Sequence, residues 1–391
     1  KLSDFLKVES LNFFTTKFRE LERGKDRFRL LSDAYAALIS SMLYVSIAVI
    51  LSSGLFGFGE PAQILFALMI AMVAIPLSIL FLSRRTLPSY SLIIKGSPVV
   101  NRYRLIKNVL IFSPALLIIL VFFGLPQQIG YLTIIALGAI AYFLAFRLRK
   151  LVKYVKSIDE ELPTFLKALA DASASGGSVS SGVNTVAVAR WGLLMKPLLK
   201  LRNRLMYSID FNMAWRMFIS ELKSELGRIH LGIFALGAST GLSPSSYINN
   251  ILESIEYNMQ LRKIRTDAAG YAKGLLVPLQ ATITAVIGML VGLIDVFARV
   301  SRLAAEASSL APLPFFTRPL AATGFLFQAF VFAFSVLLLI MNTLLIGTME
   351  AGSPEPFLRM FSYLSLATGG AGLAINFATR ALTGLLGVQL S

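Results

Sequence analysis

Long apolar runs alternate with polar segments along the chain, and this alternation predicts the architecture. The runs that approach or exceed membrane-crossing length lie at 34–55, 62–82, 109–125, 129–146, 275–297, 321–346 and 361–388. A helix of roughly 20 apolar residues covers a hydrocarbon core of about 30 Å. The pattern therefore predicts an all-α, polytopic membrane protein with about seven transmembrane helices.

One polar block, residues 148–270, separates four spans within 34–147 from about three within 271–391. Its apolar positions recur at helical spacing, as in Leu162, Phe165 and Leu166. We expect the block to fold as a helical domain, with six helices and no strand.

Turn signals punctuate the polar block. Pro163 suits the first turn of a helix, with acidic residues before it at the positive end of the helix dipole. After a glycine break at Gly176, Ser178 can cap a helix that begins at Val179. About 65 residues later the pattern returns. The second set is Gly241, with Ser243 as a predicted N-cap and Pro244 as the first helical residue.

The charge of the connections predicts their sides of the membrane. The connection 83–107 is rich in Lys and Arg, whereas the turn at 54–61 has neither. Basic loops stay on the cytoplasmic side. We therefore expect 1–33, 83–107 and 148–270 to be cytoplasmic.

The basic segment 1–33 has two readings. It is either a helix lying on the bilayer or on the main domain, or the remnant of a first copy of that domain. The second reading rests on a similarity: Arg27 and Arg29 precede Tyr35 as Lys263 and Arg265 precede Tyr271.

Composition supports a membrane protein and restricts its chemistry. Of 391 residues 56% are hydrophobic, mean hydropathy is +0.72 and net charge is +16. The basic residues flank apolar spans, so anionic lipid and an acidic partner are expected rather than nucleic acid. The chain has no cysteine and one histidine, which argues against thiol chemistry and histidine-rich metal sites.

We find no constellation of catalytic residues and no phosphate-binding loop, so we expect neither enzymatic activity nor a bound cofactor or metal ion. Polar residues at membrane depth are expected to hydrogen-bond between helices, with a substrate path as the alternative; they are Gln280, Gln328, Asn342 and Asn376. Asp295 is interpreted as an interfacial acid paired with Arg299, with an ion-binding role as the alternative.

Two basic clusters remain as candidate docking sites. They contain Lys196, Lys200, Arg202 and Arg204, and Arg262, Lys263 and Arg265. They are either solvated or lipid-facing surface, or the docking site of an acidic cytoplasmic partner.

The pattern of turn and helix-start residues in the polar block resembles that of the F-type platform proteins. These are the polytopic core proteins of type II secretion systems, type IV pili and archaella. The residues that carry this resemblance are Leu162, Pro163, Phe165, Leu166, Gly176, Ser178, Gly241, Ser243 and Pro244. The flanking spans look most like the archaeal branch. Three positions bear on the comparison: Gly182 replaces the usual alanine, Ser208 replaces the usual glycine, and Ala214 keeps the alanine place.

The resemblance implies a platform at the base of a filament, without ATPase activity of its own. The resemblance implies that such a platform is a homodimer, contacts a hexameric cytoplasmic secretion ATPase and passes its motion to prepilin or pilin-like subunits. The alternative from another class is a secondary transporter or permease, which predicts inverted repeats and polar groups that converge at the midplane.

Overall fold

A computed structural model of the chain describes residues 2–56, 61–86, 91–94, 98–307, 319–350 and 353–385. Within these ranges the chain is helical, without a strand; one isolated β-bridge joins Ile93 and Ser224. The helices are α1 (Leu2–Phe56), α2 (Pro61–Thr86), α3 (Pro98–Phe122), α4 (Gln127–Ser175), α5 (Val179–Val186), α6 (Met195–Met206), α7 (Phe211–Leu222), α8 (Glu225–Ser239), α9 (Pro244–Ala307), α10 (Pro319–Met349) and α11 (Glu355–Leu385). The all-α prediction is confirmed.

Five helical segments of the described chain are long and apolar enough to cross a membrane. They are Glu22–Val49, Asn101–Phe122, Gln127–Ser175, Pro244–Leu290 and Gln328–Met349. Each of them overlaps one predicted span: the first, third, fourth, fifth and sixth. In α2 the described residues add a shorter apolar stretch, Val73–Leu82, and α11 is not among the five.

Two helices run without a break from the polar block into the apolar spans. α4 has 49 residues and α9 has 64, so neither 148 nor 270 is a helix boundary. Pro163 consequently lies inside α4, and its predicted place in a first turn is wrong. A proline in the interior of a helix destabilises that helix by about 3 kcal/mol. The complete burial of Leu162, Phe165 and Leu166 around it offsets this cost.

Residues 148–270, called the polar domain below, pack around aromatic side chains. The Trp215 ring lies 5.7 Å from the Phe218 ring and 5.8 Å from that of Phe234, between centroids. On the other side of Phe218, Phe165 stacks edge-on against Trp191 at 5.5 Å. These contacts join α4, α7 and α8 and bring the six helices of the domain around one core.

The apolar parts of α1, α3, α4, α9, α10 and α11 form two further clusters of buried side chains, which are together called the apolar bundle. Glycines allow its helices to approach closely. A Cβ at Gly369 would lie 3.1 Å from the carbonyl oxygen of Tyr131, and one at Gly372 would lie 2.5 Å from the Tyr131 ring. The glycine run of α11 therefore serves close packing against α4.

Candidate functional site

The two glycine–serine turns of the polar domain meet at the end farthest from the apolar bundle. They line one groove of about 640 Å³ with Phe211 and Asn212. Gly177 has φ +70° and Gly241 has φ +81°, a left-handed region that favours glycine. The left-handed residue of the first turn is thus Gly177, whereas Gly176 is a right-handed C-cap.

The predicted helix starts are found at both turns. The Ser178 side chain accepts a hydrogen bond from the backbone N–H of Ser181 at 3.1 Å, which confirms its capping role. α9 begins at Pro244 as predicted, but the Ser243 hydroxyl bonds to that of Ser245 at 2.8 Å. The motif thus provides turns and helix starts.

The first basic cluster lies on α6 and is partly neutralised. Arg204 is half-buried and paired with Glu221 of α7, and the Lys200 ammonium lies 3.4 Å from the same carboxylate. Arg202 is half-buried, whereas Lys196 and Lys200 are exposed. Two lysines therefore form the accessible part of this cluster.

The second cluster is divided between the interior and the surface. Arg262 donates to Asp159 of α4, whose other oxygen accepts from Ser224 at the start of α8. Arg265 is 3% exposed, and Lys263 points outward. The structure thus gives both arginines internal partners and leaves Lys263 as the exposed cation of this cluster.

The polar groups at the α4–α8–α9 contact have shifted pKa values. Burial raises the pKa of the Asp159 carboxyl, and the charge of Arg262 opposes that rise. Burial also lowers the pKa of His230. Its Nδ1 lies 2.8 Å from the Leu226 carbonyl and its Nε2 lies 3.0 Å from the Ser254 hydroxyl. These partners fit a neutral imidazole with its proton on Nδ1, so the contact holds one ion pair and one uncharged histidine.

Where α9 enters the apolar bundle, charged side chains tie it to α10 and α11. Arg265 Nε donates to the Met349 carbonyl at 3.0 Å, and its Nη2 donates to that of Thr348 at 2.9 Å. These are carbonyls at the C-terminal end of α10, which otherwise lack helical partners. Arg265 therefore fixes α9 to the end of α10.

Glu350, just beyond α10, is bound from both sides. Lys273 of α9 pairs with it, and Arg359 of α11 approaches it at 3.1 Å. Arg359 also lies 3.3 Å from Glu355, whose pKa is raised by burial. The name junction is used below for Arg265, Lys273, Glu350 and Arg359.

Inside the apolar bundle, neutral polar groups join four helices. The Tyr35 hydroxyl donates to Asn342 at 2.7 Å, and the Asn342 amide donates to Gln280 at 2.9 Å. Gln280 in turn donates to Thr368 at 2.9 Å. The predicted hydrogen bonding between helices is confirmed for Gln280 and Asn342, whereas the Asn376 amide donates to the Gly372 carbonyl within α11 at 2.8 Å. At Gln328 the backbone carbonyl accepts from the Gln127 side chain of α4. The side chains of Asp295 and Arg299 lie outside the described part of the chain, so their pairing stays a prediction.

Sequence reasoning missed Asp159, Ser224 and Glu350 as partners of the basic residues. A signal for Asp159 was available: it lies three residues before Leu162, on the buried face of the same helix. A carboxylate on an apolar face indicates an internal cation. Glu350 and Ser224 carry no comparable local signal.

One curated protein similar to this chain is the flagella accessory protein J of Methanocaldococcus jannaschii. The two are 29% identical over an alignment of 266 residues, and the match covers 60% of this chain and 47% of that protein. The alignment thus spans about half the length of the relative. No family model and no solved structure matches the chain. The similarity agrees with the archaeal, archaellum-related machinery expected from the sequence.

Proposed function

We propose that this chain is the membrane platform of an archaeal type IV pilus-like machine, an archaellum or an adhesion pilus. In this role it couples a hexameric cytoplasmic ATPase to the extraction of pilin-like subunits from the membrane. The observation that carries the proposal is the 29% identity over 266 residues to an archaellum accessory protein. The polar domain and residues 1–33 then lie in the cytoplasm, below the cytoplasmic membrane.

The arrangement of α4 and α9 supports a mechanical role. At about 1.5 Å per residue, α4 is roughly 75 Å long and α9 roughly 95 Å. Each helix belongs to the polar domain at one end and to the apolar bundle at the other. Because no loop interrupts them, a force on the domain can pass along both helices into the apolar bundle.

The exposed lysines supply the surface on which an acidic ATPase would dock. Lys196, Lys200 and Lys263 are exposed, whereas Arg262 and Arg265 are occupied inside the protein. Exposed charges steer an encounter and make it dependent on salt. The interface is therefore proposed at the three lysines.

Charge reversal tests this proposal. A full-length variant with Lys196→Glu, Lys200→Glu and Lys263→Glu is purified in detergent and used to capture a purified hexameric secretion ATPase from the same organism. Capture is expected to fall strongly, and the residual capture to lose its salt dependence. The matched control is Lys167→Glu, an exposed lysine of α4 outside both clusters. Equal capture by the triple variant and the control would remove these lysines from the interface.

Failure to bind by the unaltered chain, under conditions in which the ATPase forms hexamers, would count against the platform role itself. The two results are distinguishable. Equal capture by the triple variant and the control means that the ATPase binds at another surface, whereas no capture by the unaltered chain means that it does not bind at all.

A further inference from the structure

Four exposed arginines, two on α3 and two on α4, have no acidic partner within the described part of the chain. They are Arg102, Arg104, Arg147 and Arg149, called the interfacial arginines below. The sequence between residues 34 and 158 contains one acidic residue, Glu60. By contrast, Lys200 and Arg204 of the polar domain share the carboxylate of Glu221. The interfacial arginines therefore concentrate positive charge that no neighbouring carboxylate balances.

The interfacial arginines lie at nearly the same depth of the apolar bundle. α3 and α4 pass through it in opposite directions, because only residues 123–126 join them and both helices pack into one cluster. At about 1.5 Å per residue, Arg102 and Arg104 lie roughly 30 and 27 Å before the end of α3. Arg147 and Arg149 lie roughly 30 and 33 Å after the start of α4.

These distances match the thickness of a bilayer's hydrocarbon core, which is about 30 Å. When the connection 123–126 lies at one edge of the core, all four guanidinium groups therefore lie near the other edge. Phospholipid headgroups occupy that level, and their phosphates are the anions nearest to it.

On both helices an interfacial arginine continues a stripe of exposed apolar side chains. On α3, Leu105 and Phe112 lie three and ten residues after Arg102, on the same helix face, and are 68% and 71% exposed. On α4, the Arg147 guanidinium lies over the Phe143 ring at 4.7 Å from its centroid, and Phe143 is 56% exposed. Each stripe is thus an apolar surface that ends in a cation.

A phospholipid with an anionic headgroup fits both parts of such a stripe. Its acyl chains cover the exposed apolar side chains, and its phosphate meets the arginine at the end. Arginine suits this contact because its planar guanidinium donates two hydrogen bonds to one phosphate. An acidic soluble protein could bind the arginines but would leave the apolar stripes uncovered within the hydrocarbon core.

We propose that the interfacial arginines form a binding site for the headgroups of anionic phospholipids. Arg147 and Arg149 lie where α4 passes from the apolar bundle into the polar domain, so bound headgroups fix the depth at which α4 leaves the bilayer. A basic residue near an anionic lipid surface contributes about fivefold to the affinity. The proposal does not depend on the filament role.

Native mass spectrometry of the full-length protein in detergent tests the preference for a headgroup. Phosphatidylglycerol and phosphatidylcholine with the same acyl chains are added in equal amounts, and the lipids that stay bound are counted. We expect the parent chain to retain phosphatidylglycerol in preference. In the test variant all four interfacial arginines are replaced by glutamine. It should bind phosphatidylglycerol at least about tenfold more weakly, with phosphatidylcholine unchanged.

The matched control removes the same net charge from exposed positions of the polar domain. It carries Lys167→Gln, Arg190→Gln, Arg216→Gln and Lys223→Gln. The control should keep the preference of the parent, because these cations lie away from the headgroup level. Far-UV circular dichroism checks that both variants keep the helical content of the parent.

A parent chain that retains the two lipids equally would overturn the proposal, as would a preference that survives loss of the four arginines. An equal loss in the control would also overturn it, because net charge instead of a site would then set the preference. A further arm adds inorganic phosphate, which should leave the lipid bound because it replaces none of the apolar contacts. Displacement of phosphatidylglycerol by phosphate would identify a site for free anions and refute a lipid site.

Discussion

Gly182 of α5 packs so closely on α4 that a methyl group has no room, and this contact gives a sharp prediction. A Cβ at Gly182 would lie 2.9 Å from the backbone nitrogen of Ser173 and 3.0 Å from its Cα, and would overlap its hydroxyl. The backbone of α4 cannot rotate away. The Ser173 hydroxyl is itself held by the Leu169 carbonyl at 2.6 Å. Gly182→Ala must therefore push α5 away from α4.

The expected loss of stability in Gly182→Ala is the difference between two opposing effects. Overpacking of a close contact costs about 1–3 kcal/mol, and replacing a helical glycine by alanine returns up to about 1 kcal/mol. We expect the free energy of unfolding to fall by about 1–2 kcal/mol. Gly270→Ala is the matched control, because Gly270 is also helical and a Cβ there meets no atom within 4 Å. It should be neutral or stabilising by up to about 1 kcal/mol.

The assay uses the two tryptophans, Trp191 and Trp215, which both lie in the polar domain. Their fluorescence follows unfolding of this domain in the full-length protein, in detergent with increasing urea. The midpoint should fall for Gly182→Ala and stay or rise for Gly270→Ala. If Gly182→Ala unfolds at the same urea concentration as the parent, α4 and α5 are not packed as closely as argued.

Three further predictions concern single residues. Ser208 has φ +57°, where a side chain costs about 1–2 kcal/mol, so Ser208→Gly should raise the urea midpoint; an unchanged midpoint would contradict the strain. Burial lowers the pKa of His230 below 6.5, so the unfolded chain binds the extra proton. The stability due to neutral His230 is complete above pH 6.5 and is lost as pH falls towards the folded-state pKa. His230→Gln should therefore weaken the dependence of the urea midpoint on pH between pH 7 and pH 5. A midpoint that falls as steeply with pH in this variant as in the parent would exclude His230 as the cause. Arg265→Met should cost roughly 2–3 kcal/mol in urea unfolding by removing charged hydrogen bonds to two carbonyls, whereas Lys263→Met, at an exposed site, should change little; equal losses would refute the junction contact.

Local patterns predicted the turns and helix starts of the polar domain because the interactions that make them are local. Ser178 caps the residues that directly follow it, and Pro244 begins α9 where its missing N–H costs nothing. Pro163 was misread for the same reason. A proline at the start of a helix is the local optimum, and only the burial of its neighbours keeps it inside α4.

The departures from the family pattern at Gly182 and Ser208 become explicable only with the structure. At Gly182 the helices approach too closely for the usual alanine, and at Ser208 the backbone takes the left-handed conformation that favours the usual glycine. Sequence shows that such residues differ, but not which contact or backbone angle accompanies each difference.

The second basic cluster shows how proximity in sequence misleads about a shared surface. Arg262 and Lys263 are neighbours, yet successive helical residues point about 100° apart. Asp159 lies 103 residues from Arg262, and the carbonyls bound by Arg265 lie 83 and 84 residues away. No local pattern reveals partners so distant along the chain, so both readings of the cluster, a solvated or lipid-facing surface and a docking site, treated its three cations as exposed together.

The contacts of Arg265 and Lys273 affect how α9 could transmit a force from the polar domain into the membrane. Just beyond Arg265, α9 contains Gly270 and Gly274, and neither has an atom within 4 Å of the place of a Cβ. Glycine lowers helix propensity and is a common site of kinks, and Pro278 follows inside the same helix, so this segment is an intrinsically weak part of α9. Arg265 binds the end of α10 before the first glycine, and Lys273 binds Glu350 between the two. Contacts from neighbouring helices therefore hold α9 in place beside its two glycines, and loss of either contact would leave this part of α9 free to bend.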